Sequence, residues 1–147
     1  SHSLAIARSE NEGVEFYNET EQSGANVNFD LIFVAGVFHH IPVGERLRVA
    51  RSLYTRLAPG GTLFVFEHNP YNVVTRKIVS NCPYDEGVTL ITPSRMKSIL
   101  VDAAFDVIRR EFCLFIPPVF SSLVRVEKWL GWLPLGGQYW VSAKRRC

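Results

Sequence analysis

The apolar positions of this chain follow two rhythms. From Leu31 to Phe38 they run almost without interruption, entered through Asp30 and closed by His39-His40-Ile41-Pro42. Such a run, rich in β-branched and aromatic residues and bounded by turn formers, predicts a strand buried on both faces. Next, Leu47, Ala50, Leu53, Tyr54 and Leu57 recur at helical spacing with Glu and Arg on the other face. That helix is expected to stop at Ala58-Pro59-Gly60-Gly61, where proline cannot continue it and glycine accepts a left-handed turn. Thr62 to Phe66 returns to the continuous pattern and ends in the polar trio Glu67-His68-Asn69. Strand, crossover helix, strand is the βαβ unit, whose parallel strands end on one edge of the sheet. Open α/β sheets bind ligands along that edge. His39, His40, Glu67, His68 and Asn69 are therefore expected at one crevice. The two histidines, neighbours at a strand end, should diverge so that at most one points straight in.

The flanking segments extend the pattern. Ser1 to Ser9 reads as a short helix, Val14 to Tyr17 as a short strand, and Thr20 to Asn28 as a polar loop or weak helix. After Asn69 a helix is expected around Val74 to Val79, then an irregular loop from Asn81 to Gly87. Thr92-Pro93 is a helix start, a capping residue followed by proline at the first helical position. Met96, Ile99, Leu100 and Ala103 carry that helix on the core side. Asp106 to Ile116 reads as a strand, Val119 to Trp132 as an amphipathic helix, and Gln138 to Ala143 as a last strand after the Gly136-Gly137 turn. The final two strands should be antiparallel. The expected fold class is α/β: a Rossmann-like open sheet, mostly parallel with one antiparallel strand near its edge.

Composition narrows the picture only a little. At 147 residues the chain reads as one domain, residues 1–147. A net charge of +2 is too small to argue for nucleic acid, and Lys144-Arg145-Arg146 reads as a solvated tail. Cys82, Cys113 and Cys147 are scattered, show no paired metal spacing and suit a reducing cytoplasm. No metal is expected from these spacings. No apolar run reaches membrane-span length, and the start lacks a signal-peptide layout.

Four stretches in order resemble the class I S-adenosylmethionine-dependent methyltransferases of the small-molecule branch. They are FDLIFVAGVFHHIP, RLAPGGTLFVFEHN, TPSRMKSILVDAAFDVIRR and QYWVSAKR, and SLAIAR at the start looks like the helix after that family's second strand. The resemblance covers essentially the whole chain. It implies methyl transfer from S-adenosylmethionine to a small molecule, with a lipid or sugar intermediate as one possibility. By the same resemblance Gly36, Val37, Phe38 and His39 lie along the methionine end of the cofactor. The resemblance also puts His40 close to the acceptor side, while the crevice rule puts His68 or Asn69, with Glu67 beside them, against the acceptor. His40 and His68 are thus the catalytic candidates, and Glu67 and Asn69 the substrate-side ones. A histidine at this edge suits a general base because its ordinary pKa is near neutrality. The plain alternatives are a turn cap and polar strand ends meeting water. Asn18 and Glu19 match the place where the family often reads the adenine edge; an ordinary turn is the other reading. The aromatic insertion, residues 112–135, is either core cover or a lid over the acceptor, and its Trp129 and Trp132 could meet an amphipathic one.

One departure qualifies the match. The family opens with a strand, a Gly-rich loop against the cofactor and a strand ending in an acidic residue, and nothing before Asp30 fits either mark. The chain thus resembles the C-terminal portion of such a domain, with the first two strands absent, and is expected to bind the cofactor weakly or not at all. In the family's strand order the missing first strand lies beside Leu31 to Ala35. That edge is expected to pair with a second copy, with further polypeptide, or with Val14 to Tyr17. In-line methyl transfer needs alignment and a route for a proton more than a catalytic triad. The rival reading is a non-catalytic module used for pairing or scaffolding. A nicotinamide dehydrogenase shares the α/β crevice but does not suit the closing antiparallel pair.

Overall fold

The computed structural model describes residues 2–11, 13–16, 28–116 and 118–146. In chain order they form α1 (His2–Glu10), β1 (Phe29–Ala35), α2 (Arg46–Arg56), β2 (Leu57–His68), α3 (Val73–Ser80), α4 (Pro93–Asp102), β3 (Asp106–Cys113) and β4 (Gln138–Lys144). The sheet order is β1-β2-β4-β3. β1 pairs parallel with β2, and β4 runs antiparallel to both β2 and β3. Three strands therefore point one way, with β4 reversed between β2 and β3, as the sequence predicts.

The side-chain alternation of the strands splits the sheet into two unlike faces. Leu63 and Val65 of β2 stand opposite Ile32 and Val34 of β1, and beside Ala143 and Val141 of β4. Together with Tyr139 they form the core, into which α4 sends Met96, Ile99 and Leu100 and α2 sends Ala50. Each fully buried large aliphatic of this set contributes about 1.5–3 kcal/mol. α4 starts where expected: Thr92 accepts a hydrogen bond from the Arg95 N–H at 3.2 Å, and Pro93 follows it. On the opposite face Phe33, Phe66, Phe64 and Trp140 form a chain of ring contacts, with centroids 5.0 to 6.4 Å apart. Leu31 and Phe33 of that face are 57% and 61% exposed.

Several expectations need correction. β1 ends at Ala35 rather than Phe38, because Gly36 takes a φ of +63° that a side-chain-bearing residue rarely adopts. The chain leaves the sheet there and Phe38–His40 makes a 3-10 turn. Val14, Glu15 and Phe16 form no strand, and among the described residues β1 pairs with β2 alone; Tyr17, also part of that expectation, lies outside the described residues. β2 starts at Leu57, so Pro59 and the two glycines lie inside the strand, where the register with β1 slips between Phe29 and Leu31. The expected amphipathic α-helix over Val119 to Trp132 is instead a run of 3-10 turns, Pro118–Trp129. Val119, Val124 and Val126 are β-branched and Ser122 competes for backbone groups, so this stretch is a poor α-helix former. It returns to the sheet through Gly131, whose carbonyl accepts the Phe112 N–H at 2.7 Å. Gly136 then passes so close to β3 that a Cβ there would sit 2.9 Å from the Cys113 nitrogen.

Candidate functional site

The carboxyl ends of β1 and β2 lie side by side, and Gly36 N–H donates to the Phe66 carbonyl at 2.9 Å to close the edge. Just beyond, the 3-10 turn folds Phe38 and His39 inward and leaves His40 outward. Glu67 turns toward the same interior because it shares the alternation of Leu63 and Val65. Its carboxylate accepts the Phe38 N–H at 2.7 Å and is 2.6 Å from His39 Nδ1. A buried carboxylate is stable only with such partners, and here one backbone donor and one imidazole satisfy it.

The two histidines do not diverge. On a 3-10 turn neighbouring side chains are not held to opposite sides, and the His39 and His40 rings approach to 4.2 Å between centroids, tilted by 39°. Both approach Asp85 from the 3-10 turn Pro83–Asp85: its Oδ1 is 3.4 Å from His39 Nε2 and 3.3 Å from His40 Nε2. Asp85 is the residue that sequence reasoning missed. Nothing in the spacing links it to the histidines; only the loop between α3 and α4 brings it back. Thr89 N–H bonds the His39 carbonyl at 3.3 Å, and buried Arg46 ties Ile41 and Thr89 carbonyls at 2.9 and 2.7 Å, which seats that loop. A cleft of about 320 Å³ opens here, lined by His39, His40, Val43, Arg46, Glu86 and Thr89 among others.

The electrostatics follow from this geometry. The hydrogen bond with Glu67 raises the His39 pKa despite the opposing effect of burial, and the charges of Glu67 and Asp85 add to the rise. Burial and then the neighbouring His39 push His68 the other way; the two rings are 5.0 Å apart. Burial would raise Asp85, but a hydrogen bond from the Cys82 thiol and the two histidines hold it below the ordinary carboxylate value.

The remaining expected site residues separate into two groups. Gly36, Val37, His40 and half-buried His68 keep accessible surface at the edge. Phe38, Glu67 and Asn69 are at most 1% exposed. Asn69 spends its amide on the carbonyls of Pro134 and Gly136, at 3.1 and 2.7 Å, and its oxygen on the Tyr71 N–H. Glu67 and Asn69 are therefore buried internal ties, and Phe38 is a core residue. Asn18 and Glu19 lie outside the described residues. S-adenosylmethionine fits the described residues only in part: Gly36 and Val37 offer an accessible border, and no second wall faces them among those residues.

No protein-family model matches the sequence, and no curated protein matches it. Solved structures do match. A SAM-dependent methyltransferase from Archaeoglobus fulgidus superposes with a TM-score of 0.61 at 17% identity, over 80% of this chain and 59% of that one. One from Mesorhizobium loti gives 0.66 at 18% identity, over 98% of this chain and 76% of that one. The N-methyltransferase NodS from Bradyrhizobium japonicum, in complex with S-adenosylhomocysteine, gives 0.54 at 17%, over 84% and 50%. The match spans about three-fifths of the length of the Archaeoglobus structure and half that of NodS. Among the described residues no helix is long and apolar enough to cross a membrane. With its parallel β1–β2 pair and the reversed β4 between β2 and β3, this chain has the fold of the class I SAM-dependent methyltransferases.

Proposed function

We propose that this chain carries one wall of a site for SAM-dependent methyl transfer to a small molecule, a lipid or sugar intermediate being one class, within a cytoplasmic protein. The observation that carries this reading is the carboxyl edge of the β1–β2 pair, where Gly36, Val37, His40 and His68 keep accessible surface on a methyltransferase fold. When bound, SAM supplies an electrophilic methyl group. Gly36 and Val37 border its methionine half, while the imidazoles of His40 and His68 stand on the acceptor side and offer nitrogens for the acceptor's proton. Glu67 acts through His39, holding the 3-10 turn that sets these positions. The insertion, residues 112–135, shapes the acceptor side.

Because the described residues supply one wall, the chain alone binds SAM in the millimolar rather than the micromolar range, roughly 4 kcal/mol. Titration of the labelled chain with SAM, followed by amide NMR, tests both parts. Shifts confined to residues 36–40 and 68 at millimolar ligand are expected. Micromolar binding overturns the one-wall reading, and shifts absent from this edge overturn the methyl-transfer reading.

A non-catalytic pairing module is the second reading, favoured by one observation: Leu31 and Phe33 are largely exposed on a strand with one outer edge unpaired among the described residues. Such an edge accepts a second copy of the chain. Light scattering that shows a dimer abolished by Phe33→Lys supports it, and a monomer at every concentration removes it.

A further inference from the structure

We propose that His39, His40 and Asp85 form a binding site for a first-row divalent transition ion of the zinc type. One ligand atom from each of His39, His40 and Asp85 lies within 4.8 Å of the others. Two ligand atoms on such an ion, each about 2.1 Å from it at a tetrahedral angle, are about 3.4 Å apart. Asp85 Oδ1 is 3.4 Å from His39 Nε2 and 3.3 Å from His40 Nε2, so each imidazole–carboxylate spacing is that of co-ligands of one ion. The same separations suit an ordinary ion pair, and a second feature decides between them.

That feature is the state of His39. Its side chain is 2% exposed and its Nε2 makes no aligned hydrogen bond, although the Asp85 oxygen lies 3.4 Å away. A buried, unpartnered imidazole nitrogen costs stability unless something occupies it. The other nitrogen of the same ring lies 2.6 Å from the buried Glu67 carboxylate. Such a carboxylate fixes the tautomer with the proton on Nδ1, leaves Nε2 as a lone-pair donor, and raises the ring's basicity toward a metal. Glu67 is itself locked by the Phe38 N–H, so the supporting shell is rigid. Two imidazoles and one carboxylate select zinc, cobalt, nickel or iron over magnesium or calcium, which prefer oxygen ligands. Three protein ligands leave at least one coordination position for water or a bound small molecule. Half-exposed His40, at 43%, and the adjoining cleft give the ion a way in.

The site does not depend on the methyl-transfer reading, because binding is measured directly on the purified chain. Calorimetric titration with zinc should give a 1:1 complex of micromolar or tighter affinity, and cobalt should give the intense visible bands of a four-coordinate ion. His40→Ala and Asp85→Asn, both on surface-reaching turns, should each weaken binding at least about 10-fold, and Glu67→Gln about 10–100-fold with the fold checked by circular dichroism. Cys82→Ser should leave binding within about 3-fold, since Cys82 is not one of the three clustered donors. No complex at about 100 μM zinc (about 5.5 kcal/mol), or a complex insensitive to both His40→Ala and Asp85→Asn, overturns the site. Loss of binding in Cys82→Ser replaces the assigned ligand set with a thiolate-led one and overturns it equally.

Discussion

The two faces of the sheet are built from equally apolar residues and meet different fates. On one, Leu63, Val65, Val141 and Ala143 are sealed beneath α2 and α4. On the other, Leu31 and Phe33 remain exposed, and the Phe64–Phe66–Trp140 ring chain is only half-buried. The second face is not uniform. Toward β3 it is covered by Arg109, whose guanidinium lies over Trp140 at 5.8 Å, and by the returning insertion, whose Gly131 packs on Glu111. Toward β1 nothing among the described residues covers it. Apolar content alone therefore did not decide burial; the connections did, since both crossover helices of the described chain pack on one side.

The largest expected effect is the contrast itself. Leu63→Ala should lower the unfolding free energy by about 3 kcal/mol, because it opens a cavity under rigid neighbours. Phe33→Ala, a larger truncation on the other face, should cost under about 1 kcal/mol, since most of that ring already meets water. Urea denaturation of both variants measures the pair. Equal costs would mean that the β1 end of the open face is covered in solution.

Asn69→Ala should come next, at about 2 kcal/mol, because it leaves the buried carbonyl of Gly136 and the N–H of Tyr71 without their partner. Its effect should fall on one face only. Asn69 pins the end of the insertion, so tryptic cleavage after Lys128 should speed up while the α2–α4 face keeps its hydrogen-exchange protection. A third variant weakens the covered side alone. Thr92→Ala removes the cap of α4 and should cost about 1 kcal/mol, with protection lost first in the amide groups of residues 94–97.

These residues also show what was legible in the sequence. α2, α4 and β4 follow from local periodicity, and Thr92-Pro93 announces its helix because capping is local chemistry. The apolar run Leu31 to Phe38 announced a strand, but not the expected burial on both faces: β1 ends at Ala35 with Leu31 and Phe33 largely exposed, because a run cannot say which segment supplies cover. Its end was readable only at Gly36, where a left-handed φ stops the strand; the apolar residues beyond it concealed the stop. The 3-10 turn that follows reversed the expected divergence of His39 and His40. It also gathered Asp85 to them from a loop with no spacing signal of its own. Glu67 and Asn69, expected at the edge, are both buried there. Strand alternation turns Glu67 into the core, and the Gly-rich return of the insertion consumes Asn69.

The smallest energetic effect gives a sensitive probe of the open face. Cys113 shares that face with Gln138 and His68 by strand register, at the end where the insertion returns. Burial, and secondarily the charge of Glu127, push its thiol up to about 11. If the insertion did not shield this end, the thiol would titrate near its ordinary value. The sign is fixed by the direction of the shift: the fold disfavours the thiolate, so this contribution to stability is present below about 9 and lost as pH rises from there through about 11. At pH 8 roughly one thiol in a thousand is ionised, and iodoacetamide should modify Cys113 correspondingly slowly in a background lacking Cys82 and Cys147. Adding Asn69→Ala should accelerate that reaction by releasing the insertion, whereas Thr92→Ala, which acts on the opposite face, should leave it unchanged. Acceleration by Thr92→Ala instead would show that the two faces open as one unit, and that the contrast between them is one of packing and not of independent stability.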